Sequence, residues 1–310
     1  MTAVALPLLL VAVLSAAPVA AMPAPEDRDA RPPAFWRGIV ESHYSVPPGE
    51  SAAALMAELT GLLASPDPRL RDTYGYGIAA AWIYRDTKLS PAELTALTRE
   101  LEGNLDRGLG SVGTDAVFRR SFSALDLSLL AALDLKKTFL DQAEFDRLLT
   151  AALAYLAGER DLRAYDETKG WIHATAHTAD LLRFLARNEK LRAEDPQRIV
   201  DAVEAKLRAA DVAFVHGEDE RLASALASLA ARPDASPTLF DPWLARLAED
   251  GAGLWRNEPL VDPVEYRSVQ NQENAFKNLH VILSVRALDN PLPDAALAID
   301  KAVLATLKGL

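Results

Sequence analysis

From Phe35 onward, apolar residues recur every three or four positions almost without a break, and alternating strand-like runs bounded by glycine turns are missing. The spacing predicts helices near 35–44, 51–64, 70–85, 91–107, 114–133, 141–157, 170–188, 196–209, 218–231, 237–249, 264–287 and 294–308. Several starts are signposted. Ser90-Pro91-Ala92-Glu93 offers a cap, a proline at the first helical position and an acidic first turn, and Asp195-Pro196 and Ser236-Pro237 repeat the cap-then-proline order. Gly75-Tyr76-Gly77, inside an apolar stretch, predicts close helix packing or a kink. Links this short force neighbours to pack antiparallel, so the expected class is all-α, built as helical hairpins.

Polar landmarks sit on alternate predicted helices: Arg71-Asp72, Arg120-Ser121, His173, Arg221 and Asn274, at intervals of 49, 53, 48 and 53 residues. A regular recurrence of this kind delivers one polar patch per hairpin to a similar place. It predicts an HEAT-like α/α superhelix, a solenoid or toroid whose inner layer lines a concave surface, with a period longer than the ~40–47 residues of HEAT and armadillo repeats.

Composition narrows the field. With 310 residues, half of them apolar, residues 35–310 suffice for one helical-repeat domain. Lys and Arg number 33 against 44 Asp and Glu, and a net charge of -11 speaks against nucleic acid as a partner. The absence of cysteine removes disulfides, thiolate metal sites and a cysteine nucleophile. Residues 1–21 are uncharged and mostly apolar, which reads as a signal peptide cleaved after Ala21, followed by a flexible leader over 22–34. The expected location is therefore periplasmic or secreted, with no membrane partner after cleavage; an N-terminal anchor is the alternative, opposed by Pro7 and Pro18. No Gly-x-Ser-x-Gly elbow, phosphate loop or dinucleotide fingerprint occurs, which disfavours nucleotide chemistry.

Chemistry concentrates around 159–182. His173, His177 and Asp180 fall at i, i+4 and i+7, one narrow stripe on a helix otherwise rich in Ala and Leu, with Arg183 and Arg187 beside it. Two imidazoles one turn apart can share a divalent metal with Asp180 as third ligand, although Ala174 replaces the glutamate that serves metalloprotease helices as base. A metal-free pocket and plain hydrogen bonding to neighbouring helices, with Asp180 paired to an arginine, are the other readings. Asp161, Arg163, Asp166 and Glu167 precede the stripe and serve either as carboxylates over a groove or as caps and salt bridges. Arg120 suits clamping a ligand anion or pairing with a carboxylate. His216 and Glu218 can complete a site with His173 and His177 if the hairpins curl together, and Arg267, Asn271, Asn274 and Asn278 form a further polar stripe.

Arg120-Ser-Phe-Ser123, the Gly170-Trp-Ile-His-Ala-Thr-Ala-His-Thr-Ala-Asp180 core and Gly217-Glu-Asp-Glu-Arg-Leu222 together resemble a bacterial family catalogued as domain of unknown function 2785. The resemblance implies a helical fold over most of the chain after Phe35 and carries no settled activity, substrate or cofactor. The residues leave two functional expectations. One is a binding module whose concave face holds a small polar or peptide ligand through His173, His177, Asp180, Arg120, Glu218 and Asn274. The other is a metal-assisted or acid/base hydrolase of the cell envelope using the His173, His177 and Asp180 face.

Overall fold

The structure, a computed structural model, describes residues 31–256 and 260–310; the expected signal and all but the end of the leader lie outside them. It is all-α apart from one two-residue-per-strand hairpin. Helix α1 spans Pro33–Glu41 and α2 Ala52–Leu62. Helix α3 runs from Arg69 to Arg85, wound as a π-helix over Arg69–Tyr76, as an α-helix over Gly77–Ala80 and as a π-helix again over Ala81–Arg85. Then follow α4 (Pro91–Leu105), α5 (Ala116–Asp134), α6 (Gln142–Gly158), the hairpin β1 (Tyr165–Asp166) and β2 (Gly170–Trp171), α7 (Ala174–Leu185), α8 (Asp195–Ala209), α9 (Glu218–Ala230), α10 (Asp241–Leu254), α11 (Pro263–Asp289) and α12 (Asp294–Leu307).

Local chemistry accounts for most boundaries. Ser90 and Glu93 close a full capping box on α4, and Ser51 and Asp141 accept from the backbone of Ala54 and Glu144. Ser236-Pro237 does not start a helix as expected: it forms a turn, and α10 begins later, at Asp241-Pro242. Asp195 is the first residue of α8, not its cap, and its carboxylate accepts from Arg192 N–H. The close-packing form of the Gly75-Tyr76-Gly77 expectation holds, because a Cβ on Gly75 would lie 3.0 Å from the Leu63 side chain; the stretch also straddles the end of the first π segment.

Helices α3, α5, α7, α9 and α11 pack side by side in chain order, and α4, α6, α8, α10 and α12 back them, giving a solenoid-like arrangement of two layers. Contacts between successive inner helices keep the same order along both partners: His173 meets His216, Asp180 meets Arg221, and Ala186 meets Arg232. The inner helices are therefore parallel. Four of the five polar landmarks lie on helices of this inner row and the fifth, His173, immediately precedes α7, so the intervals follow the spacing of successive inner helices. A continuous apolar core fills the space between layers, with Trp82, Phe118, Phe145, Trp243 and Phe276 fully buried.

Candidate functional site

The N-terminal end of α7 is assembled by the hairpin before it. Asp166 turns the chain by accepting from Thr168 Oγ1 and from the backbone N–H of Thr168 and Lys169, bonds that pull its carboxyl down to about 2. Gly170, at φ +73, completes the turn where a Cβ would press on Pro68 and Arg71. The hairpin is then tied to α3 and α5: Arg71 donates to Lys169 O at 2.7 Å, and Lys169 Nζ sits 2.6 Å from Asp115. Arg71 is fully buried, its guanidinium 4.1 Å from the centre of the Phe118 ring. So held, Tyr165 and Trp171 meet edge to face with ring centroids 5.0 Å apart and remain 51% and 43% exposed.

His173 is not on the helix, which corrects the expected i, i+4, i+7 stripe. It precedes α7 in the left-handed conformation, φ 52, and its carbonyl accepts from His177 N–H at 2.9 Å. A left-handed histidine is strained by about 1–3 kcal/mol, so its surroundings must hold it. They do so on two sides: the ring stacks on Trp171 with centroids 4.7 Å apart, and Nε2 lies 3.1 Å from His216 O and 3.7 Å from Glu218 Oε1. A carbonyl only accepts, so Nε2 carries the proton and donates. Burial, then the charge of Arg221, brings this imidazole down to about 4 and keeps it neutral at pH 7.

His177 does lie one turn into α7. Ser121 donates its one hydroxyl proton to Ile172 O, so the 2.8 Å contact between Ser121 Oγ and His177 Nδ1 has the imidazole as donor. The ring is buried edge to face against Phe122, and burial, with His173 next, lowers its pKa well below the ordinary value. The two imidazole centroids are 5.8 Å apart. Asp180 turns to Arg221 of α9 as an ion pair, the arginine pairing the sequence left open. Its carboxyl is nonetheless raised, by burial first. Among the described residues no group of three or more His, Asp or Glu side chains is placed to hold a metal. The set His173, His177 and Asp180 does not converge, because His173 has left the helix and Asp180 faces Arg221.

The remaining candidates divide. Glu218 belongs to the site, accepting from His216 N–H at 3.0 Å beside His173. Arg120 does not serve as a ligand clamp. Fully buried, it grips Glu159 through Nε (2.7 Å) and Nη2 (3.2 Å) and donates through Nη1 to the carbonyls of Arg107 and Gly108. Asn274 accepts from Gln270 within α11, and Asn271 and Arg267 hold the 210–214 loop. Asp161 pairs with Arg163 and accepts from Gly113 N–H, which makes the charged loop a set of caps and salt bridges.

Three contributors escaped sequence reasoning: Trp171 and Tyr165 as an exposed aromatic pair, Ser121 as the partner of His177, and Asp126. Asp126 is buried on α5 with Oδ1 lacking any hydrogen bond, and burial drives its carboxyl well up. Burial, followed by the charges of Asp126 and Asp180, also raises the Tyr76 phenol. The only available signal for the first was an aromatic residue on each side of the turn segment 166–170, Tyr165 before it and Trp171 after it.

Residues 105–281 match the family described as Protein of unknown function (DUF2785), a span that contains α5 to α10, most of α11 and every residue of this site except Arg71 and Tyr76. No curated protein and no solved structure matches the chain.

Proposed function

We propose that this chain, which belongs to the DUF2785 family and takes no assigned activity from it, is a binding module for a small polar or peptide ligand. The observation that carries the reading is the exposed Trp171–Tyr165 pair, displayed on a clamped hairpin and stacked on a strained, neutral His173. One face of the indole rests on the imidazole while the ring stays 43% exposed, so a ligand with a flat group, such as an aromatic or prolyl side chain or a sugar ring, has a rigid surface to stack on. His216, exposed beside the indole and held from behind by Glu218, stands next to it for polar contacts. The reading invokes no metal: His173 Nε2 and His177 Nδ1 are engaged with His216 O and Ser121 Oγ, and among the described residues no group of three or more His, Asp or Glu side chains is placed to hold an ion. The uncharged run 1–21 supports placing this activity in the periplasm or outside the cell.

Intrinsic fluorescence tests it. Titration with short peptides rich in tryptophan, tyrosine or proline, and with N-acetylated sugars, is expected to give a saturable change for at least one compound. Trp171→Ala, at an exposed position, is expected to keep the fold and lose that binding. Equal binding by the variant, or no saturable response to either class, overturns the proposal.

The acid/base hydrolase alternative keeps one observation in its favour, the raised and unpartnered Asp126 carboxyl near Tyr76 and Asp180. It requires that Asp126→Asn abolish hydrolysis of a bound compound while leaving its affinity intact.

A further inference from the structure

At the opposite end of the inner row, about 20 Å along α7 from His173 at 1.5 Å per residue, lies a cavity of about 510 Å³ lined by Arg183, Arg187, Arg232 and Arg286 with Ser228 and Glu189. Its volume falls within the range of small-molecule sites. Two of the arginines have structural work. Arg232 pairs with Asp234 and donates to the carbonyls of Ala186 and Asn188, and Arg286 donates to Ala227 O at 2.9 Å. These contacts add a cationic donor to carbonyls at the ends of α7 and α9, which is the service a cation performs at a helix C-terminus.

Arg183 and Arg187 are surplus to that service. Among the described residues neither makes an ion pair or a hydrogen bond, and Nε of Arg183 is buried with no acceptor. Both guanidiniums flank the Phe184 ring, with centres 5.6 and 5.8 Å from its centroid. Glu189 lines the cavity but bonds to none of them. In a chain with eleven more acidic than basic residues, guanidiniums left together with no carboxylate bonded to them are an unfavourable arrangement that an anion would relieve. The cost is visible at Arg286, whose protonated form is disfavoured by burial and then by Arg183 and Arg187.

We propose that this cavity is an anion site for a phosphate monoester, with Arg183 and Arg187 binding the phosphoryl oxygens, Arg286 completing the positive field, and the remaining volume taken by a polar substituent. Planar guanidinium forks match phosphate oxygens in pairs, and the buried Arg183 Nε gains the acceptor it lacks. The same chemistry is offered by a soluble phosphorylated metabolite and by a phospholipid headgroup; the net charge of -11 favours the soluble source.

The test uses the full chain, inorganic phosphate and glycerol phosphate as probes, and vesicles containing phosphatidic acid, whose headgroup is a phosphate monoester, as a separate arm. Calorimetry and thermal unfolding are run against chloride at matched ionic strength. Phosphate or glycerol phosphate is expected to bind and raise the unfolding temperature where chloride does not. Arg183→Gln and Arg187→Gln are each expected to weaken binding about tenfold or more. Without anion, the double variant is expected to be as stable as the parent or more so, since like-charge repulsion is relieved; a purely structural pair would leave it less stable. Binding to vesicles with none to glycerol phosphate assigns the same site to a headgroup. No response beyond chloride in any arm, or a phosphate response that survives the double variant, overturns the proposal. Trp171→Ala is expected to leave phosphate binding unchanged, so this site and the aromatic one stand or fall separately.

Discussion

The two ends of the same helix row handle polarity in opposite ways. At the N-terminal ends of α7 and α9, His173, His177, Asp180 and Glu218 are each tied to a protein partner, and both imidazoles are held neutral. At the C-terminal ends, Arg183 and Arg187 share a cavity with Arg286, and among the described residues no carboxylate pairs with either of them. The helix dipole explains the signs, since an N-terminus opposes imidazolium and welcomes Glu218, Asp219 and Glu220, whereas a C-terminus welcomes guanidinium. It does not explain the difference in partnering. A region whose groups are satisfied presents shape and aromatic surface, and a region left with unbalanced charge asks for a counter-ion from outside.

The contrast can be broken by removing the partners that make the first end self-sufficient. Arg120→Met removes the ion-pair partner of Glu159, which is 3% exposed and keeps only the N–H of Asp161, and is expected to cost about 3–5 kcal/mol in urea unfolding. A ligand-clamp role for Arg120 would instead leave stability almost untouched.

A pH profile sharpens it next. The folded pKa of His173 lies near 4, below the unfolded value near 6.5, so the unfolded chain binds the proton first and stability is complete above pH 6.5. It is lost as pH falls from 6.5 to 4, at about 1.4 kcal/mol per pH unit and roughly 3 kcal/mol in all for this group. His177 acts in the same direction. The raised carboxyls of Asp126 and Asp180 act oppositely, so the quantity to measure is the difference between the parent and His173→Gln across that window. A parallel pair of profiles would contradict the neutral-imidazole assignment.

The smallest effect belongs to Asp126→Asn. Its folded pKa is raised, so ionisation opposes folding once pH exceeds the unfolded value, and the amide is expected to stabilise the protein by on the order of 1 kcal/mol at pH 8. The gain should vanish below pH 4. A loss of stability at pH 8 would mean that the carboxylate has a cationic partner.

Helix existence was legible along most of the chain because an apolar face at a 3.6-residue period is a local property, and caps such as Ser90–Glu93 are local too. The start of α7 was not. Spacing alone placed His173 in line with His177, while its left-handed backbone is set by stacking on Trp171 and by a carbonyl 43 residues away. Partner choice was hidden for the same reason: Ser121 is 56 residues from His177, and Arg286 lies about a hundred residues from Arg183 and Arg187. The metal set failed on geometry that no spacing rule contains, whereas the pairing of Asp180 with an arginine was anticipated in kind without the residue, Arg221, being known. The roughly fifty-residue recurrence proved the most informative pattern, since its landmarks lie on inner helices or, for His173, directly before one.

The account turns on the first end being neutral, partnered and metal-free. Histidine-selective NMR of the ring nitrogens, followed from pH 8 to pH 4 with and without zinc, reads all three properties at once. The expected result is a proton fixed on Nε2 of His173 and on Nδ1 of His177, no titration of His173 until pH approaches 4, His177 likewise held well below the ordinary imidazole range, and spectra unchanged by stoichiometric zinc. Titration of both rings near 6.5, or stoichiometric zinc shifting the two together, would contradict it.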